Sequence, residues 1–268
     1  KYRKMNHTLT GHSGKVMAAK FLGEPSKVIT GSHDRTLKIW DLRSRMCTET
    51  KFAGSSCNDL VTSDGAGSTI ISGHFDKRIR FWDIRTEMSA NHIVLQGKVT
   101  SLDLSRDSNY LLACVRDDTI QLIDLRMNTI VRSFSHDSFK VGCDWSRAAF
   151  GPGGRLLAVG AADGAAYVWN THSGKLEAVL KDHTTAVTAV SWHPQSGLLA
   201  SVDRAKRAVI WGDFLGIHSG NLSTNAYCSF QYPLYIFYAN KDQFEIKIDS
   251  IQDLRLIFRH TIIISFYS

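Results

Sequence analysis

No run of eighteen apolar residues occurs in this chain, so no membrane-spanning helix is predicted. The basic start, Lys1-Tyr2-Arg3-Lys4, is not followed by the apolar segment of about 7–15 residues that a secretory signal needs, and none is expected. Position 1 is not Met, which fits a piece of a longer product. Cysteine is sparse: Cys47, Cys57, Cys114, Cys143 and Cys228 are odd in number, widely spaced and form no C-x-x-C pair. That pattern argues against a disulfide framework or a zinc site and fits a reducing cytosol. Also missing are G-x-S-x-G, H-E-x-x-H and a phosphate-binding glycine loop. The expectation is therefore no enzyme, no cofactor and no metal. The net charge is +7 with a pI near 9.2, but Lys and Arg are spread along the chain. Without a basic stripe interleaved with exposed aromatics, a solvated surface is expected and no nucleic-acid partner.

What the chain has is a period. Its hydrophobic share of 43% makes a core feasible. Alignment on Trp40-Asp41, Trp82-Asp83, Ile123-Asp124, Trp169-Asn170 and Trp211-Gly212 gives spacings of 42, 41, 46 and 42 residues. Six residues before the first four anchors stand Asp34, Asp76, Asp117 and Asp163. β-prone runs precede each Asp (Lys27–Thr30, Thr69–Ser72, Tyr110–Ala113, Arg155–Val159). Earlier ones lie upstream (Val16–Phe21, Asn58–Val61, Val99–Leu104, Gly142–Phe150, Val187–Trp192). A more polar run follows each anchor, as in Cys47–Phe52 or Thr129–Phe134. Four short strands per roughly 40–45 residues predict a propeller blade. A lone four-stranded sheet leaves an apolar face bare, so such units must stack on one another.

The first unit reads Gly11-His12, then Gly31-Ser32-His33-Asp34, then Trp40-Asp41. It resembles a near-consensus WD repeat, and the resemblance implies an all-β WD40 β-propeller. Five blades are recognisable over residues 1–211, and the family's usual ring of seven implies two more upstream. In that family His, Ser or Thr, Asp and Trp form a hydrogen-bonded relay, matched here by His12, Thr30, Asp34 and Trp40. A buried indole N–H needs an acceptor, a hydroxyl both accepts and donates, and a carboxylate fixes an imidazole tautomer. Unit two keeps Ser72, Asp76 and Trp82 but has Gly54-Ser55 where Gly-His is expected. Unit three has Ile123 for Trp, unit four has Val159 in the hydroxyl place, and unit five has Asp203 eight residues before Trp211. His33 and His74 read as turn residues, because no second metal ligand lies at suitable spacing.

A closer resemblance rests on longer runs: Gly31–Lys38, Trp40–Ser44, Phe52–Asp59, Ser72–Lys77, Arg80–Arg85 and Ile123–Arg126. Together they resemble the C-terminal propeller of the autophagy-related protein 16-like family over about residues 7–211. The resemblance implies a cytoplasmic scaffold for autophagosome assembly. Such a scaffold joins a ubiquitin-like lipidation complex through N-terminal regions absent here, and is recruited peripherally to autophagic or endolysosomal membranes. Membrane association would be indirect, through protein partners on a propeller rim. Phe75 and Lys98 match residues that the family uses for recruitment, and spacing expects them side by side between blades two and three. A second reading comes from Trp40-Asp41-Leu42-Arg43 and Trp82-Asp83-Ile84-Arg85, which match the W-D-x-R pattern of cullin-4 adaptor-binding propellers. On that reading Arg43 and Arg85 face an acidic adaptor, and the chain is a ubiquitin-ligase substrate receptor.

The period stops after Trp211. Ile, Phe and Tyr make up 20 of the 57 residues in 212–268, a shift that points to translated non-coding or retained-intron sequence. The other reading is a genuine segment that pairs with the last blade. At the opposite end, His7–Thr10 resembles the outer strand of a preceding blade.

Overall fold

The computed structural model describes residues 8–62, 69–86, 89–212 and 236–238. More than half of them belong to five antiparallel four-stranded sheets, each a simple meander in chain order. Blade one holds β1 (Val16–Leu22), β2 (Glu24–Ser32), β3 (Thr36–Asp41) and β4 (Met46–Phe52). Blade two holds β5 (Cys57–Thr62), β6 (Thr69–His74), β7 (Arg78–Asp83) and β8 (Ser89–Val94). Blade three holds β9 (Val99–Leu104), β10 (Tyr110–Val115), β11 (Thr119–Asp124) and β12 (Thr129–Phe134). Blade four holds β13 (Ala148–Phe150), β14 (Leu156–Gly160), β15 (Ala165–Asn170) and β16 (Leu176–Lys181). Blade five holds β17 (Val187–Trp192), β18 (Leu199–Asp203), β19 (Arg207–Trp211) and β20 (Ile236–Tyr238). The expected all-β propeller of about five blades is thus the observed fold.

Two local devices repeat. The turn between second and third strands carries a residue with positive φ in every blade: Arg35, Lys77, Asp118, Gly164 and Lys206. In blades one, three and four the preceding Asp (Asp34, Asp117, Asp163) accepts the N–H two residues on, at 3.0, 3.1 and 3.0 Å. This short-range acceptor holds the chain in the left-handed turn that a hairpin of this twist needs. The second device is a register shift immediately before the anchor, at Ile39/Trp40, Phe81/Trp82, Leu122/Ile123 and Val168/Trp169. A bulge there increases local twist and re-aims the anchor side chain.

Stacking supplies the cores. Leu37 and Ile39 of blade one meet Cys57 and Leu60 of blade two; Ile71 and Ile79 meet Val99 and Leu111 of blade three. Phe134 joins Phe139 and Trp169 across the third seam, and Val168 meets Val190 and Leu199 across the fourth. Among the described residues no apolar core joins blade five to blade one. Glycine marks three of the tightest approaches: a Cβ on Gly31 would lie 2.6 Å from Cys57 Sγ, on Gly73 2.4 Å from Val99 Cγ1, and on Gly160 2.5 Å from Val187 Cγ1. The first strands of neighbouring sheets lie side by side and exchange polar bonds. Asp59 accepts the Leu102 N–H at 2.9 Å, and Asp103 accepts the Phe150 N–H at 2.7 Å.

Two expectations differ from the structure. The first strand of unit four, expected over Gly142–Phe150, is only Ala148–Phe150. Residues before it form a turn in which the Ser146 N–H donates to the Cys143 carbonyl at 3.2 Å. Thr8–Thr10 form no strand, and His7 lies outside the described residues. Within 212–268, Ile236–Tyr238 pairs with Val209–Arg207 as the fourth strand of blade five. The rest of that segment beyond Gly212 lies outside the described residues.

Candidate functional site

In blade one the relay is continuous. The Trp40 indole N–H donates to Thr30 Oγ1 at 2.7 Å, Thr30 meets His12 Nε2 at 2.7 Å, and His12 Nδ1 meets Asp34 at 2.7 Å. Because the indole only donates, the Thr hydroxyl proton points to Nε2, which leaves Nδ1–H to donate to Asp34. Burial pushes the Asp34 carboxyl up, but hydrogen bonds from Thr36, His12 and the Ser13 N–H outweigh it and hold it well below the usual carboxylate range.

Blade two builds the same chain from a different histidine. Trp82 donates to Ser72 Oγ at 2.7 Å, and Ser72 meets His74 Nε2 at 2.7 Å. His74 Nδ1 donates to the Ser55 carbonyl at 3.1 Å. The reading of His74 as a turn residue is therefore corrected: it ends β6, is fully buried and takes the relay position. His33 sits in the turn and is exposed. Asp76 does not join the relay; it is an exposed residue paired bidentately with Arg80 at 2.9 and 2.6 Å. Burial, with the positive charge of Arg80 adding to it, lowers the His74 pKa to about 4 and keeps the ring neutral.

Asp203, eight residues before Trp211, does not break the fifth relay. Trp211 donates to Ser201 at 2.8 Å, Ser201 meets His183 at 2.7 Å, and His183 meets Asp203 at 2.9 Å. Blade four substitutes an aromatic stack: Tyr167 lies 5.6 Å from Trp169 and 5.4 Å from Phe139, and its hydroxyl donates to Asp163 at 2.9 Å. These networks stabilise turns; they present no reactive group to solvent. Among the described residues no three His, Cys, Asp or Glu side chains are grouped to hold a metal.

The exposed chemistry lies on the face reached by the β6–β7 turn and the β8–β9 link. Phe75, in that turn, is 47% exposed, and its N–H donates to the Ser56 carbonyl, which fixes its place at the rim. Lys98, in the link, holds its ammonium 3.6 Å from the centroid of the Phe75 ring. The pair presents an apolar ring and a cation together. Arg43 and Arg85 lie in the β3–β4 and β7–β8 turns, at the opposite ends of β3 and β7 from the turn that holds Phe75. Arg85 pairs with Asp83 at 2.5 Å with its side chain 81% exposed, and the Arg43 N–H donates to Asp41 at 2.8 Å.

Comparison with known proteins agrees with this architecture. The family model for the WD domain, G-beta repeat, matches residues 3–41, 89–124, 128–170 and 174–212. The first three strands of blade two fall between the first two matches and its outer strand, Ser89–Val94, opens the second, although its four strands and its Trp–Ser–His chain are complete. The chain is 39% identical over 214 residues to Protein tipD of Dictyostelium discoideum, covering 78% of this chain and 35% of that protein. It is 34% identical over 212 residues to Autophagy-related protein 16 of Arabidopsis thaliana, covering 78% of this chain and 41% of that protein. Against Protein Atg16l2 of Homo sapiens it is 45% identical over 120 residues, 44% of this chain and 19% of that protein. The chain therefore spans well under half the length of these relatives. With its repeated sheets, its relay and these matches, the chain belongs to the WD-repeat family, and the autophagy-related 16 proteins are among the members it resembles.

Proposed function

We propose that this chain is a non-enzymatic docking propeller of an autophagy-related protein 16-like scaffold. In this reading, regions outside the chain hold a ubiquitin-like lipidation complex, and the propeller directs it to autophagic or endolysosomal membranes. It works in the cytoplasm and meets the membrane through a protein partner. The observation that carries the reading is the half-exposed Phe75 capped by Lys98 at 3.6 Å, in a chain similar to autophagy-related proteins. A cation over an exposed ring is worth only about 0.5–1 kcal/mol, so a partner can displace Lys98 from the ring at little cost. The ring then offers apolar area and the ammonium a charge, the combination typical of interface anchors.

The test is Phe75→Ala and Lys98→Ala within a full-length scaffold. Both side chains are at the surface, so melting should shift by no more than about 0.5 kcal/mol equivalent. Recruitment to membranes should fall with either change, and the double variant should lose little more, because contacts to one partner are not additive. Lys27→Ala in blade one is the control. The exposure of Arg85 keeps the cullin-4 adaptor reading as the alternative. Loss of partner binding in Arg43→Ala or Arg85→Ala, with Phe75→Ala and Lys98→Ala unaffected, would transfer the function to that opposite face.

A further inference from the structure

The cap on Phe75 is held in place from another blade. Lys98 lies 3.9 Å from one carboxylate oxygen of Asp144, and the other oxygen is 3.2 Å from Arg116 Nε. Among the described residues Lys98 has no other carboxylate partner. The Lys98 carbonyl accepts the Arg116 N–H at 2.9 Å, so the backbone is fixed and only the side chain can swing. Arg116, in the β10–β11 turn of blade three, also donates to the Val141 carbonyl, which fastens it to the link entering blade four. Asp144 stands at the tip of a tight turn in that link. At the base of the turn the Cys143 N–H donates to Ser146 Oγ at 3.2 Å, and both residues are buried. Trp145, next to Asp144, is 46% exposed, so the tip projects from the blade. The carboxylate is thus presented to Lys98 on a rigid stalk.

We propose that Asp144 is an autoinhibitory contact, a built-in stand-in for an acidic side chain of the partner. It holds Lys98 over Phe75 and keeps the rim pair closed until the partner's carboxylate takes its place. The inference rests on the reading of Phe75 and Lys98 as the recruiting pair and adds its regulation. The ammonium sits between a ring face at 3.6 Å and a carboxylate at 3.9 Å, and both attractions favour the capped position. Arg116 takes the nearer share of Asp144, which leaves the Lys98 arm the weaker of the two and the first to yield. The side chains of Lys98, Arg116 and Asp144 are 35, 37 and 39% exposed, so water screens the pairs and the lock is reversible. A carboxylate that captures the ammonium draws it off the ring and uncovers the apolar face of Phe75 in the same step. A partner with an apolar group alone meets a covered ring. An exposed ion pair contributes little, so removing it should change affinity only about two- to fivefold.

The test is Asp144→Asn, which keeps the shape of the side chain and removes its charge, read in two ways. On the full chain, acetylation of Lys98 by sulfo-N-hydroxysuccinimide acetate, followed by mass spectrometry, should run about two- to fivefold faster. In a full-length scaffold, membrane recruitment should rise by a similar factor, and adding Phe75→Ala should cancel the gain. Asp118→Asn is the control. It removes the same charge from the neighbouring turn, can still accept the Val141 N–H, and pairs with Lys140 instead of Lys98. It should move neither readout. If Asp144→Asn lowers the melting temperature, Asp144→Ser is read in its place. Unchanged labelling of Lys98, faster labelling without a rise in recruitment, or an equal rise in Asp118→Asn overturns the inference. Recruitment that depends on Phe75 and Lys98 but not on Asp144 removes the inference alone. Recruitment indifferent to Phe75→Ala and Lys98→Ala removes the rim reading, and the inference with it.

Discussion

The ammonium of Lys51, in the outer strand of blade one, lies 2.6 Å from the carbonyl of Thr86 in the β7–β8 turn of blade two. It also reaches the Asp83 and Ile84 carbonyls at 3.3 and 3.4 Å and pairs with Glu49 at 2.6 Å. Only 1% of Lys51 is exposed. The side chain therefore pins one sheet to the next through backbone acceptors. Arg132 repeats the device more weakly, donating to the Ser173 carbonyl of blade four at 3.3 Å. Lys51→Met keeps the apolar stem and strands the carbonyls, which should cost about 1–3 kcal/mol. Urea unfolding should show a lower midpoint at unchanged slope.

Blade one depends on its anchor. Trp40→Ala should cost about 3–5 kcal/mol through the cavity it leaves. Trp40→Phe retains most of the ring and isolates the donor lost by Thr30, at about 1–2 kcal/mol. Thermal melting that ranks wild type, Phe and Ala in that order supports the relay; a Phe variant equal to wild type removes its energetic importance.

Two buried groups give opposing pH dependence. The folded pKa of His74, about 4, lies below its ordinary 6.5, so the folded chain binds fewer protons between those values than the unfolded one. Stability from this group is lost as pH falls through that window. Burial pushes Asp103 up from 3.8 to about 6, so the folded chain binds more protons there, and stability is lost as pH rises through the window. Each shift corresponds to roughly 3 kcal/mol, and the slopes offset each other between about pH 4 and 6. Asp103→Asn can still accept the Phe150 N–H. It should be more stable than wild type at pH 7 and should show the uncovered loss of stability on acidification. Denaturant titrations at a series of pH values read both.

The seam between blades two and three tests the glycine spacing. Gly73→Ala would drive its Cβ into Val99, whose branched side chain has little freedom to move, at a cost of about 1–3 kcal/mol. Val99→Ala makes room, so the double variant should be more stable than the sum of the two single losses. Additive losses would show that the seam relaxes by other means.

The repeat was legible because Trp and Asp recur at near-constant spacing, and the five sheets follow it. The variation inside blades is not, because the repeat pattern has a place for the relay histidine only in the link before the first strand. Residues two apart on a strand share a face. His74 therefore reaches Ser72 from within β6, and Asp203 stands beside Ser201 on β18 in the same way. That alternation along the hydroxyl-bearing strand is the sequence signal for both. The 46-residue spacing before Trp169 was the sign of an enlarged link. Gly142–Phe150 contains enough apolar residues to resemble a strand, and Trp145 lies within that run. The nearness of Phe75 and Lys98 followed from the turn and link sharing one face; the bridge through Asp144 crosses between repeats and leaves no periodic trace.

Cys57 and Cys114 lie wholly buried in different seams, and burial pushes the Cys114 thiol up to about 12 and Cys57 higher still. A thiol in that state is inert to alkylation until its seam opens. The molecule thus carries its own pair of clocks. The labelling rate at Cys57 times the parting of blades one and two, and that at Cys114 the parting of blades three and four. The two seams share no core residue, so those clocks need not agree. Their ratio would reveal whether the propeller opens as one body or peels from one side.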